Sequence, residues 1–326
     1  MIRLKKDCFG DRSISILGDS ITHGASADDV ATQSYVGLFK QEIARRTGVR
    51  NYGFTSVEDR MWSNGGMQKE AHTVAYEPDD AWLRLRVGEN LGNYSAISSR
   101  QGAQLAVTVP EGYAWGCIYY MVGPAGGSFA VTAGQETVAR VSTAALETAC
   151  MRTSYLPLQG GTLRLTVTSR EGPVTILGIA YYNQPQEVVV HNYANCCLRL
   201  VDVGTEVLKT VCSSSIVILA LGYNDLHFNA PAERFSQQIR TVSEEIRRSG
   251  SRLYVEDFCW NMPEDQYYRL HLKRLAIETG GIYITPQAVY GERLLREIKD
   301  EAHPSPEGHR LLAEELLRRF DWDWQE

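Results

Sequence analysis

Apolar and polar positions along the chain change rhythm twice. Ser13 to Leu17 (SISIL) is a short apolar run that stops at a Gly-Asp-Ser turn, and YVGLFKQEIARR from Tyr35 to Arg46 repeats its apolar residues at helical spacing. The opening therefore reads as a strand followed by a helix. From about Thr73 to Tyr182 the texture becomes short runs (LRLRV, QLAVTV, GCIYYMV, SFAVTA, LRLTVTS, VTILGIAYY) separated by Gly, Pro, Asn and Ser turns. Alternating faces with frequent turns predict an antiparallel β-sandwich.

After Pro185 the pattern returns to α/β. Strands are predicted at 188–191 (VVVH), 216–221 (IVILAL), 252–258 (RLYVEDF) and 281–285 (GIYIT). Helices are predicted near 201–212, 232–248 and 264–279, and on both sides of Asp300. Alternation of this kind implies a parallel sheet covered by helices on both faces. With the first strand, five strands suit a flavodoxin-like order. The predicted fold is thus a three-layer α/β/α domain of residues 1–65 and 186–326, interrupted at 66–185 by a jelly-roll-like β-sandwich. The Asn64–Ala71 and Pro185 regions are the junctions. In such sheets ligands gather beyond the carboxyl ends of the strands, so the loops that follow strands are where chemistry is sought.

A length of 326 residues fits this two-part reading, and 44% hydrophobic with 22% charged residues is ordinary for a globular protein. A net charge of −6 without a basic stripe argues against nucleic acid and against an anionic membrane surface. The apolar stretch at 13–17 is too short for a secretory core, and no apolar run is long enough to span a bilayer. Seven irregularly spaced cysteines, including the neighbours Cys196 and Cys197, form no disulfide framework or paired metal ligands. They read as reduced thiols in a cytoplasm. His72, His191 and His271 are scattered, so neither metal nor cofactor is expected. A homo-oligomer is compatible with the sequence.

Three short segments carry candidate chemistry. GDSITHG at 18–24 follows the first strand and presents Ser20 at the open sheet edge. A serine hydroxyl is a weak nucleophile until a base takes its proton, so a histidine is required at the same edge. Standing alone, such a turn more often caps a helix. GYND at 222–225 ends the third strand and puts the Asn224 amide, a potential oxyanion donor, in a loop on that edge, with Asp225 bracing the loop. DEAHP at 300–304 places His303 before a proline that keeps it extended, with Asp300 three residues away to orient the ring and stabilise the imidazolium. The conjunction of the three says more than any one of them.

GDSIT, GYND and DEAHP resemble three of the four signature blocks of the SGNH/GDSL hydrolases. The resemblance covers roughly residues 13–56 and 187–320, on either side of the β-rich middle, as in relatives that carry a carbohydrate-binding-like sandwich inside the hydrolase domain. It implies that Ser20 attacks, His303 transfers protons, Asp300 orients His303, and the Ser20 amide with Asn224 stabilises the oxyanion. The fourth block normally contributes a glycine amide. NYGFTS at 51–56 and HNYANCC at 191–197 compete for it, and the latter is preferred because it follows a strand of the resumed sheet. There Ala194 and Cys197 stand where glycines are expected, so the Cys197 amide is the candidate donor, on a residue that lacks glycine's tolerance of positive φ.

Asp19, Tyr223 and Trp260 are pocket candidates, Trp260 with Asn261 as a rim able to stack on a sugar. His23, His191 and His227 lie near the proposed loops without an Asp partner followed by proline, and His309, one turn into the last helix, reads as a surface residue. In the insertion Trp82, Tyr94, Tyr113, Trp115, Tyr119, Tyr120, Tyr181 and Tyr182 read mostly as core. The resemblance implies a serine esterase for short acyl groups, with O-acetylated carbohydrate as the favoured substrate class. The alternatives are a thioesterase or lysophospholipase for longer chains, and a catalytically silent carbohydrate-binding protein.

Overall fold

The computed structural model describes residues 2–3, 6–50, 52–57, 73–85, 91–92, 94–158, 161–185, 187–260, 263, 266–300, 302–320, 322 and 324–325. The chain divides into two compact units, residues 1–49 with 188–326, and residues 50–187.

The first unit is built on five strands, β1 (Arg12–Gly18), β2 (Val188–Asn192), β3 (Ile216–Ala220), β4 (Arg252–Glu256) and β5 (Ile282–Ile284), in the order β2-β1-β3-β4-β5 and parallel throughout. This is the flavodoxin-like order expected. The central strands are buried on both faces because helices cover both; β3 is apolar throughout, whereas β1 alternates Ile14 and Ile16 with Ser13 and Ser15, whose buried hydroxyls bond Ser214. Its helices include α1 (Ser20–His23), α2 (Tyr35–Thr47), α3 (Thr205–Cys212), α4 (Tyr223–His227), α5 (Ala232–Ser249), α6 (Tyr267–Glu278), α7 (Pro286–Tyr290) and α8 (Pro306–Arg319), with single turns at Val30–Gln33 and Leu294–Glu297. On one face Ile14, Ile16, Val190, Ile218 and Tyr254 pack with Phe39 of α2 and with Leu316 and Phe320 of α8 and its end, all buried. Each such side chain contributes roughly 1.5–3 kcal/mol by leaving water. Ala220 lies level with Gly18, so the carboxyl ends of β1 and β3 open side by side. That register brings the loops carrying Ser20 and Asn224 to one rim.

The second unit is a sandwich of two antiparallel sheets. One has the strands Glu136–Ser142, Ser128–Ala133, Thr162–Val167, Gln104–Thr108 and Thr73–Glu77 in that order. The other has Ala149–Arg152, Trp115–Val122, Val174–Tyr182, Ser95–Ser98 and Leu83–Leu85, with Gly53–Ser56 also paired to Val174–Tyr182. Ile118, Val131, Leu165, Ile176 and Tyr181 fill its core. Of the eight aromatic residues singled out above, Trp82, Tyr119, Tyr120, Tyr181 and Tyr182 are buried, and Tyr94, Tyr113 and Trp115 are partly buried; alternation accounts for Tyr120 and Tyr181 in the sandwich core, while their neighbours Tyr119 and Tyr182 are covered on the opposite face of the sheet.

The insertion begins earlier than the sequence suggested, at residue 50 rather than 66. NYGFTS supplies a strand to the sandwich, where Phe54 packs edge-on against Tyr119 at 5.2 Å. The expected junction at Asn64–Ala71 lies outside the described residues. Strand Glu136–Ser142, also unforeseen, is a largely exposed edge whose polar composition hides its alternation.

Candidate active site

Gly18 ends β1 where the chain doubles back over itself. A Cβ there would lie 2.0 Å from the Thr22 hydroxyl oxygen, so only glycine lets α1 fold onto the strand end. The Asp19 carboxylate caps α1 by accepting the Ile21 N–H at 3.0 Å, and Gly24 closes it in a left-handed conformation at φ 102°. Ser20, the first helical residue, is held partly exposed by this turn.

The partner of Ser20 arrives from the far end of the chain. Ser20 Oγ lies 2.8 Å from His303 Nε2, and the other ring nitrogen, Nδ1, is 2.7 Å from Asp300 Oδ2 and 3.0 Å from Oδ1. Asp300 also accepts the His303 backbone N–H at 2.7 Å and that of Ala302 at 3.3 Å. A polar bracket fixes the loop. Ser305 N–H donates to the Glu297 carbonyl, Ser305 Oγ–H to the Glu297 carboxylate at 2.6 Å, and the Lys299 N–H to the His303 carbonyl. Ser305 then caps α8, whose first residue is Pro306. Serine directly before proline is a helix-start signal that reveals this cap from sequence. Burial alone would raise the Asp300 carboxyl, but the His303 ring and the two backbone donors outweigh it and hold it below the ordinary value.

Asn224, in the first turn of α4, is buried. Its Nδ2 donates to Asp19 Oδ2 at 3.2 Å and to the Leu198 carbonyl at 3.1 Å. Asp225, expected to brace its own loop, instead braces the turn at Leu200–Asp202, accepting the Leu200 and Val201 N–H groups at 2.7 and 3.1 Å. Burial pushes Asp19 up to about 7, against the Ile21 N–H and with help from the Asp225 charge. Burial likewise raises Asp225 to about 6 against its two backbone donors.

Of the two stretches that compete for the fourth block, NYGFTS lies in the sandwich, whereas HNYANCC runs along the end of β1. There the Tyr193 and Asn195 N–H groups donate to the carbonyls of Ile16 and Gly18. Cys197 is exposed and adopts φ 60°, so a non-glycine residue takes the left-handed conformation that a glycine would hold without strain. Such a conformation costs an L-residue about 1–2 kcal/mol, which points to a backbone requirement at this place.

Three expectations need correction. Asp19 is fully buried and acts as a cap and a partner for Asn224, so it is not a pocket wall. Trp260 is buried too, because Phe258 and Trp260 turn inward and the indole packs edge-on against Tyr290 at 5.6 Å. It cannot rim the site, and Asn261 lies outside the described residues. His309 is not on the surface. It is fully buried, with Nε2 donating to the Ala25 carbonyl at 2.8 Å, and burial lowers its pKa to about 4 despite that bond. The last helix turns its His309 face toward α2, where the ring stacks on Tyr35.

Tyr223 is half-exposed and stacks on His227, which with the exposed Phe228 forms an aromatic edge on α4 beside Asn224. His23 is buried at the end of α1. His191 pairs with Ser15 in the middle of β1, and its ring gathers with Asp7 and Asp11, their candidate ligand atoms lying within 4.8 Å of one another. His72 lies outside the described residues, and none of the seven cysteines is in a disulfide. No helix among the described residues is long and apolar enough to cross a membrane.

No protein-family model matches the sequence, and no curated protein is significantly similar to it. Solved structures do share its architecture. A peptidoglycan O-acetylesterase superposes with a TM-score of 0.65 at 16% identity, over 94% of this chain and 89% of its own. A salicylyl-acyltransferase from a tetracycline biosynthetic pathway matches at 13% identity over 80% and 97% of the two chains, with a TM-score of 0.36. A family two carbohydrate esterase from Clostridium thermocellum, in complex with cellohexaose, matches at 12% identity over 72% and 97%, with a TM-score of 0.30. Of these three, the first superposes closely enough to compare folds. The chain therefore has the α/β architecture with additional antiparallel sheets seen in that O-acetylesterase.

Proposed function

We propose that this chain is a serine esterase of the SGNH kind that removes short acyl groups, O-acetyl above all, from carbohydrate. The observation that carries the proposal is the continuous line from Ser20 Oγ through the His303 ring to Asp300, formed by residues 283 positions apart in sequence. His303 Nε2 takes the Ser20 proton as Oγ attacks the ester carbonyl, and Asp300 stabilises the imidazolium that results. The alcohol leaves with that proton. Water activated by His303 then releases the acid from the acyl-enzyme.

The tetrahedral oxyanion is held by the Ser20 and Cys197 amides and by Asn224. In the resting site both hydrogens of the Asn224 amide are engaged, and one turns to the oxyanion during reaction. Asp19 loses little when the amide leaves it, because near neutral pH it is protonated part of the time. Asn224→Ala is expected to lower kcat about a hundredfold with little change in KM. Turnover close to wild type would remove Asn224 from this role.

Acetyl is favoured because the protein whose fold matches is a peptidoglycan O-acetylesterase. Carbohydrate is favoured by the aromatic edge of Tyr223, His227 and Phe228 next to Asn224, since sugar faces stack on such rings. The test is acetate release from acetylated xylo-oligosaccharides, sialic acids and peptidoglycan fragments, together with a chain-length series of nitrophenyl esters. We expect rates to fall beyond butyrate. A maximum at longer chains would point to a thioesterase or lysophospholipase, and a Ser20 inert to an organophosphonate would point to a binding protein.

A further inference from the structure

Glu256, the last residue of β4, is a charged residue type in the apolar core beneath the catalytic turn, with only 1% of its surface exposed. Among the described residues no group closes to hydrogen-bonding distance on either carboxyl oxygen, the Tyr35 hydroxyl being the polar group that faces it, and no cation offsets its charge. Among the described residues two more buried donors, the Tyr290 hydroxyl near Glu256 and the indole N–H of Trp260 packed on Tyr290, are also without hydrogen-bond partners. Buried polar groups are nearly always bonded, and an unpaired buried carboxylate is among the most costly arrangements a core can hold. A residue kept there against that cost needs a reason.

The reason lies in what Glu256 faces. The Tyr35 hydroxyl of α2 interacts with it from one side and lies 2.9 Å from the Thr22 hydroxyl on the other. Thr22 in turn sits directly on Gly18, within the turn that presents Ser20. The line from Glu256 through Tyr35 and Thr22 therefore ends on the nucleophile's own helix. Tyr290 of α7 faces Glu256 as well, with Glu297 beyond it, while Asp19 lies beyond Tyr35 and the His309 ring of α8 stacks on the Tyr35 ring.

We propose that Glu256 is a positioning residue for Ser20, acting through Tyr35 and Thr22, and that it performs this role as a neutral carboxylic acid. Burial raises its pKa from 4.5 to about 8, with the Tyr35 hydroxyl pulling weakly the other way. Neutral, it lets Tyr35 stay on Thr22. Ionised, it would draw the Tyr35 and Tyr290 hydroxyls toward itself and add negative charge beneath a site where an oxyanion must form. The same titration acts on folding. The folded state holds a proton that the unfolded chain has lost, so stability present below about 4.5 declines as pH rises to about 8 and is then level.

The inference rests on the esterase reading, and its test separates the two. Acetate release is measured from pH 6.5 to 9 for the wild type, Glu256→Gln, Glu256→Ala and Tyr35→Phe, with thermal unfolding over the same range. We expect wild-type kcat to fall above pH 8, Glu256→Ala to lose kcat about tenfold with KM unchanged, and Gln to recover most of that loss. In Glu256→Gln the alkaline fall of kcat should be absent and the pH slope of the unfolding midpoint above pH 7 should flatten, leaving what Asp19, raised to about 7, contributes below that; Tyr35→Phe should remove the alkaline fall of kcat. Wild-type hydrolysis whose pH profile survives the Gln change unaltered overturns this inference alone. A wild type without hydrolysis overturns the esterase reading and this proposal with it.

Discussion

Ser20→Ala is expected to lower turnover on the order of 10⁶-fold, to the level that binding and the remaining oxyanion donors can sustain. The fold should not notice the change. Ser20 is the first residue of α1 but not its cap, since Asp19 accepts the Ile21 N–H, and alanine is at least as good a helix former. Loss of activity with an unchanged unfolding midpoint therefore isolates the chemistry. His303→Ala should cost about as much, and the double variant little more, because the two groups perform one step together. Acetate release under single-turnover conditions reads all three. A Ser20→Ala enzyme that retains a tenth of wild-type turnover would mean that another group attacks the ester.

The parts of the fold and site that depend on local pattern were legible in the sequence. β3 is the continuous apolar run of a buried parallel strand and β1 a short Ser/Ile run that stops at a Gly-Asp-Ser turn, so both could be placed within a residue or two, and their order followed from the α/β rhythm. Ser20 and Asn224, in the first turns of short helices that follow strands, and the Asp300/His303 pair in its loop each sit in a segment whose own composition marks it. What could not be read depends on contacts between distant positions. The Asn224 amide bonds Asp19 across 205 residues, which turns a supposed pocket wall into an internal brace. The inward turn of Trp260 and the burial of His309 are set by the partners Tyr290 and Tyr35, whose rings no local periodicity brings together. Strand Gly53–Ser56 was misassigned because four residues carry too little pattern to reveal which sheet they join.

Asp300→Asn tests the least protected link of the catalytic line. Where an orienting aspartate is buried, such a change costs about 10⁴-fold, because the amide stabilises the wrong tautomer of the ring. In this loop the Asn carbonyl oxygen would be claimed by the backbone N–H of His303, now 2.7 Å from the carboxylate. The amide NH₂ would then face Nδ1 and make it an acceptor, which places the ring proton on Nε2, pointing at Ser20. A ring so protonated cannot take the serine proton. Asp300 is 55% exposed in its side chain, however, so water can serve as a substitute acceptor, and we expect a smaller loss of about 10³-fold in kcat with KM unchanged. Asp300→Ala, which leaves the acceptor role to water alone, should be no worse than Asn and is expected to be better. The order of the two variants is the decisive reading. If Asn is the more active, Asp300 serves the loop backbone and not the ring, and His303 must be oriented by the Glu297–Ser305 bracket.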